Sequence, residues 1–222
     1  MTEHRKPARP RDAATLLIYR RGARGPEVVM GRRSDKARFK PGVYVFPGGG
    51  LERADHQIRP LRPLPQLVVD KIAVGGSVAR GNALALAAIR ETFEESGLII
   101  GEAGDPGPST SDSWRSIRAR GLAPRLDALS YLGRAITPSP QPIRFHARFF
   151  AVDAAHAHGD LGSSGELSDL QWVPLADASK FEVMGVTLLM LESLQRYLEA
   201  PAAHRAPFLS FQHGRRVIQM TP

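Results

Sequence analysis

The sequence predicts an α/β fold, a sandwich in which a mixed β-sheet carries helices on both faces. Three observations point there: short strand-like runs recur from Ala13 to Val173, a strongly helical segment interrupts them at 83–96, and an amphipathic one follows at 183–199. At 222 residues the chain has room for one sizeable core, so 13–222 is read as one domain behind a flexible basic arm, 1–12.

The elements follow in order. Ala13 to Arg20 and Glu27 to Arg33 read as strands joined by Arg21-Gly22-Ala23-Arg24-Gly25-Pro26, whose glycines and proline signal a hairpin-like loop. Val43 to Phe46 is a third strand, ended by Pro47-Gly48-Gly49-Gly50. Residues 56–81 change pattern to Pro60, Pro63, Pro65, an apolar Leu67-Val68-Val69 and Gly75-Gly76, an insert with room for one short helix. Asn82 has N-cap chemistry for the helix over 83–96, and Gly97 supplies its C-terminal stop. Asp105 to Ser113 reads as loop and Ser113 to Arg120 as a short helix. Strands are expected over Ala128 to Ile136, Arg144 to Val152 and Leu167 to Val173. Val183, Val186, Met190, Leu194 and Leu198 then recur at helical spacing, one face of a helix against the core.

Composition narrows the chemistry. The absence of cysteine excludes disulfides, thiolate metal sites and cysteine nucleophiles, so any metal must sit on oxygen or imidazole. No apolar run approaches the roughly 18 residues that span a bilayer, and the N-terminus shows no apolar leader; a cytoplasmic protein without a membrane partner is expected. The net charge of +8 fits either a phosphate-rich partner or an arginine-biased genome. The densest basic stretch, His4 to Arg11, is broken by prolines and does not resemble a folded nucleic-acid module, so no nucleic-acid partner is expected. A homodimer is compatible with the composition.

The helix over 83–96 carries the chemistry. At about 100° per residue, Glu91, Glu94 and Glu95 share an arc of about 100°, while Leu86, Ile89 and Phe93 lie opposite. Like charges at this spacing oppose the helix by roughly 0.2–0.5 kcal/mol per pair. Arg90, four residues before Glu94, relieves part of that. A solvated acidic face is one reading; the other is a site for a hard divalent cation, which takes oxygen ligands.

The neighbourhood favours the second reading. Arg90-Glu91-Thr92-Phe93-Glu94-Glu95-Ser96-Gly97-Leu98 resembles the second half of the Nudix box, with Thr92 where an apolar residue is usual. Upstream, Phe46-Pro47-Gly48-Gly49-Gly50-Leu51-Glu52 resembles its opening, and the count from Gly49 reaches Asp55 where the pattern has glutamate. The pattern places seven residues before the arginine, whereas residues 56–89, 34 in all, separate Asp55 from Arg90. A loop expansion explains the excess, because closure entropy grows slowly with length. A coenzyme A diphosphatase branch of the Nudix hydrolases is similar in carrying a long insert here. Arg33-Ser34, Arg38, Gly42 and Phe46-Pro47-Gly48-Gly49 also resemble that branch's upstream signature, although Val29-Met30-Gly31 replaces its leading Leu-Leu-Thr.

The resemblance implies a Nudix-type α/β/α sandwich that hydrolyses the diphosphate of a nucleoside diphosphate linked to another moiety, with Mg²⁺ or Mn²⁺. Coenzyme A or acyl-CoA is the first expectation, with ADP-ribose, NADH or a dinucleotide next. A non-catalytic nucleotide-sensing domain is the rival, set against it by the retention of all three helix glutamates. It implies Glu91, Glu94 and Glu95 as metal ligands with a carbonyl near Gly49, and Arg90 as the group that orients Glu94. Glu166, in a loop before a late strand, stands as base or extra ligand, with Asp169 a weaker candidate. Arg33 and Arg38 are candidates to pair with phosphates, Gly48 and Gly49 to let substrate approach, and His146 either to face the pocket or to be a packed strand residue.

Overall fold

The computed structural model describes residues 8–36, 40–139, 141–162 and 165–221. Its strands are β1 (Arg11–Gly22), β2 (Gly25–Arg33), β3 (Tyr44–Val45), β4 (Gly48–Gly50), β5 (Ile99–Ala103), β6 (Leu122–Pro124), β7 (Ser130–Ile136), β8 (Phe145–Asp153), β9 (Ala157–His158), β10 (Leu167–Pro174), β11 (Pro207–Gln212) and β12 (Arg215–Met220). Its α-helices are α1 (Gln66–Lys71), α2 (Val78–Ser96), α3 (Asp112–Ala119) and α4 (Gly185–Glu199).

The large sheet runs β10-β2-β1-β8-β7-β11-β12, with β3 beside β2 and β4 beside β1. The β1–β8 and β7–β11 pairs are parallel and the others antiparallel, so the sheet is mixed, as expected. Its two faces build two cores because successive strand residues point to opposite sides. Leu16, Ile18, Phe150 and Val152 pack with α2, whereas Leu17, Phe149 and Ala151 pack with Met190, Leu191 and Leu194 of α4. The α/β/α sandwich is therefore realised, and a small sheet, β6-β5-β9, flanks α2.

Four differences from the sequence reading have physical causes. β1 begins at Arg11 rather than Ala13, and Asp12, assigned to the arm, pairs with Arg80 and with the fully buried Arg148. α2 begins at Val78, not after Asn82: Ser77 is the N-cap, its hydroxyl accepting from the Arg80 amide at 3.3 Å. The Asn82 side chain instead accepts from the Leu64 amide at 3.0 Å, fastening the insert to the helix. Leu84 to Arg90 are all essentially buried, so α2 is enclosed on every side rather than amphipathic through its length. The hairpin of β11 and β12 was not anticipated, yet its signal is present: His213-Gly214, both at positive φ, joins two strand-like runs. Gly97 ends α2 at φ 77°, as its sequence position implies.

Thr92, in the box position usually apolar, is fully buried and its hydroxyl has no hydrogen-bond partner. An unsatisfied buried hydroxyl costs about 1–3 kcal/mol. The isosteric Thr92→Val should therefore stabilise the fold by about 1 kcal/mol, seen as a higher midpoint in denaturant titration; a lower midpoint would contradict this account.

Candidate active site

β1 and β2 pair only near their hairpin, Tyr19–Gly22 with Gly25–Val28. β10 runs along the other edge of β2 from Glu27 to Arg33, β3 takes the edge that β1 leaves, and Gly48–Gly50 takes the freed edge of β1 at Ala13–Thr15. The glycine loop is thereby laid flat beneath the C-terminal half of α2. Glycine at position 49 leaves room for Glu91, since a Cβ there would stand 2.5 Å from the Glu91 carboxyl carbon and would displace that carboxylate.

Arg90 organises what surrounds this contact. It is 1% exposed, and Asp55 is 0% exposed. Arg90 Nε donates to Asp55 Oδ1 at 2.9 Å, and Nη2 donates to Asp55 Oδ2 at 3.2 Å and to the Gly50 carbonyl at 2.8 Å. Nη1 donates to Glu94 Oε2 at 3.0 Å and lies 3.0 Å from Glu91 Oε1. Asp55 also accepts from Trp114 Nε1 and from the Glu52 amide, each at 2.9 Å. Burial alone would depress the Arg90 guanidinium, but the hydrogen bonds and charge of Asp55 reverse this and raise its pKa.

The expected residues do not all meet in one place. Glu95 accepts from the Gly48 amide at 2.8 Å, so that amide serves a carboxylate rather than standing open to substrate. Glu95, Glu166 and Arg33 line one cleft of about 580 Å³, together with Lys36 and the segment around Phe145. Glu94 faces a different recess beside Glu52 and Arg53, where Ser113 Oγ donates to it at 2.5 Å. Glu91 lies between the two, over Gly49. Because Arg90 draws Glu91 and Glu94 to itself, no three acidic or imidazole side chains among the described residues converge into a ready-made cage.

Two other positions depart from expectation. His146 is not part of the cleft lining: its Nε2 lies 3.3 Å from Arg134 Nη1 and its ring packs toward Phe208. Burial, reinforced by Arg148 and Arg134, pushes its pKa down to about 4, so it is a neutral strand residue on the sheet face. Asp169 sits at a bulge with φ 48° and accepts from the Tyr44 hydroxyl. Arg38 lies outside the described residues. Trp114, Ser113 and Lys36 were not anticipated: Trp114 and Ser113 come to the site only through the packing of a distant segment, whereas Lys36 lies within the Arg33–Arg38 stretch and accompanies Arg33 into the cleft.

The donor set fits a hard cation. Burial raises Glu91 to about 7, with Arg90 opposing and Glu94 adding to the rise. Burial raises Glu95 to about 8 despite the Gly48 hydrogen bond, helped by the charges of Glu91 and Glu166. These are desolvated oxygen donors that a divalent charge would relieve. Relative to the unfolded chain, with glutamate at 4.5, the folded metal-free protein holds more protons up to about pH 8. Its stability should therefore fall as pH rises, most cleanly above about pH 7.5 and through the Glu95 value of about 8, because His146 and His204, both lowered in the fold, act in the opposite sense around the ordinary histidine value of 6.5. Melting of the chelated protein across that window should show the decline, and added Mg²⁺ or Mn²⁺ should cancel it most at the alkaline end because the ion displaces those protons. A flat profile would overturn this.

The NUDIX domain family model matches residues 9–189. A solved NUDIX hydrolase from Alicyclobacillus acidocaldarius is 30% identical, with a TM-score of 0.66 over 83% of this chain and 90% of that one. The acyl-coenzyme A diphosphatases NUDT19 of Xenopus laevis and Gallus gallus are 32% identical over 95 residues and 30% over 121. Those stretches are 33% and 40% of this chain but only 25% and 32% of the relatives' own lengths. Members of the family generally use divalent metal ions. With a family model spanning most of the chain and a solved structure similar at this identity and coverage, the chain belongs to the NUDIX family.

Proposed function

We propose that this protein hydrolyses the diphosphate linkage of a nucleoside diphosphate joined to another moiety, with coenzyme A or its thioesters as the first substrate class and ADP-ribose, NADH or dinucleotides as the second. The observation that carries this reading is the cleft in which Glu95 and Glu166 share space with Arg33 and Lys36. Carboxylates and cations side by side suit an anionic substrate attacked by water. The names of the two partly aligned diphosphatases, and the Arg33-Ser34 to Gly49 segment, support the coenzyme A class.

A diphosphate resists water because its own oxygens repel a nucleophile. A divalent ion, Mg²⁺ or Mn²⁺, held by Glu91, Glu95 and a glycine-loop carbonyl, would neutralise that charge and polarise the phosphorus. Arg33 and Lys36 bind and orient the anionic oxygens. Arg33 Nε is buried without a hydrogen-bond partner among the described residues. Glu166 takes the proton of the attacking water; oxygen bonds to phosphorus, the bridging phosphorus–oxygen bond breaks, and two phosphomonoesters leave. Glu94, held by Arg90 and Ser113, positions its side of the helix.

Release of phosphomonoesters from coenzyme A, NADH, ADP-ribose and diadenosine polyphosphates with Mg²⁺ or Mn²⁺ tests the reading. Turnover should be fastest with coenzyme A; absent or undistinguished turnover of it would remove the first class. Glu95→Gln should lower kcat by orders of magnitude with the fold intact. Glu166→Gln should lower it about 10²- to 10⁴-fold, and a wild-type rate there would move the base elsewhere.

A further inference from the structure

We infer that the apolar side of the catalytic cleft, built by Pro142, Ile143 and Phe145, seats the substrate's nucleobase, with the Gln141 amide reading the edge of an adenine-type purine. The inference rests on the proposed diphosphate chemistry and adds to it the residues that choose the nucleoside.

Among the large apolar side chains exposed in the described residues, Ile143 at 51% and Phe145 at 38% are the two that line this cleft. An apolar wall with a few charged groups beside it is the usual lining of a ligand cleft. The same cleft is lined by Glu95, Glu166, Arg33 and Lys36. A ligand that satisfies both sides carries phosphate next to a flat apolar group. In a nucleotide the base lies one ribose away from the phosphate. The acyl group of a coenzyme A thioester lies beyond the whole pantetheine arm and is too remote for this wall.

Phe145 is held in place for the task. Its amide donates to Thr137 Oγ1 at 3.0 Å, its carbonyl accepts from the Thr137 amide at 3.0 Å, and Arg144 Nε donates to the Thr137 carbonyl at 3.0 Å. The ring therefore projects from a closed β7–β8 hairpin. An aromatic ring stacks on any base, whereas a glutamine amide can pair with the N6 and N7 edge of adenine in two parallel hydrogen bonds.

The test titrates the full-length, metal-free protein calorimetrically with AMP, IMP and ribose 5-phosphate, alongside coenzyme A hydrolysis by the same preparations. AMP should bind about fivefold to a hundredfold more tightly than ribose 5-phosphate. Phe145→Ala should erase that margin and raise KM for coenzyme A more than it lowers kcat, while Phe145→Tyr restores both. Gln141→Ala should narrow the preference for AMP over IMP, and Leu188→Ala, an exposed apolar residue on α4 outside the cleft, should change nothing. Thermal melting of each variant separates loss of binding from loss of fold. Equal affinity for AMP and ribose 5-phosphate in the wild type, or an unchanged margin in a folded Phe145→Ala, overturns the inference even if coenzyme A is hydrolysed. A margin that obeys these variants in a protein that hydrolyses no diphosphate sustains the nucleobase seat and overturns the activity instead.

Discussion

The buried pair of Arg90 and Asp55 is the constraint on which the site depends. Burying two charges is costly, and the pair is tolerable only if every donor and lone pair finds a partner. Both Asp55 oxygens are met, one by Arg90 Nε and the Trp114 indole, the other by Arg90 Nη2 and the Glu52 amide. The remaining Arg90 donors reach the Gly50 carbonyl and the Glu91 and Glu94 carboxylates. One guanidinium thus joins the glycine loop, the turn that follows it, α2 and, through the indole, α3. Removing either charge would leave the other stranded in the core, and the glycine loop would lose its fixed distance from the helix.

The same pair explains why a long insert does not destroy the box. Asp55 is anchored before the insert and Arg90 after it, so the intervening chain needs only to leave and return. It does more than return. Leu61 and Arg62 run beside β6 through the Leu61 amide to the Pro124 carbonyl and the Leu126 amide to the Arg62 carbonyl. Val69 and Ile72 of the α1 region press on Gly81, where a Cβ would approach them to 3.2–3.3 Å. The buried Arg148 then binds the Ile72 carbonyl at 3.1 Å, tying the insert to the sheet. The expansion also lengthens α2 at its N-terminus, so it adds core as well as loop.

The sequence made legible those parts of the fold that local rules specify. Strand alternation located β1, β2, β7, β8 and β10, and Gly97 marked the end of α2, because burial periodicity and a left-handed cap leave local traces. Asn82 misled because a good capping residue is also a good acceptor for a distant amide, and only the packed insert decides between them. The carboxylates of α2 were found from helical spacing, but their division between two recesses was not, since it follows from where Arg90 reaches. Trp114 was illegible for a related reason: one indole hydrogen bond across 59 residues has no sequence period. Glu166 and Arg33, singled out separately by resemblance, line one cleft; His146 does not, because its alternation with aromatics described a strand face, not a pocket.

The cleft itself originates in a failure of two strands to stay together. β2 leaves β1 after Val28, and Gly48–Gly50 occupies the vacated edge; at Gly48 a side chain is excluded, because a Cβ there would meet Thr15 and the Ala14 carbonyl at 2.6–2.7 Å. Glu95 then closes over the Gly48 amide at 2.8 Å, and Arg33, at the far end of the departing β2, is carried to the other side of the opening. Acidic and basic groups are thereby gathered along one cleft, Glu95 from α2 and Glu166 beside the Arg33 end of β2. The position of the charged groups is in this sense a property of sheet topology before it is one of side-chain chemistry.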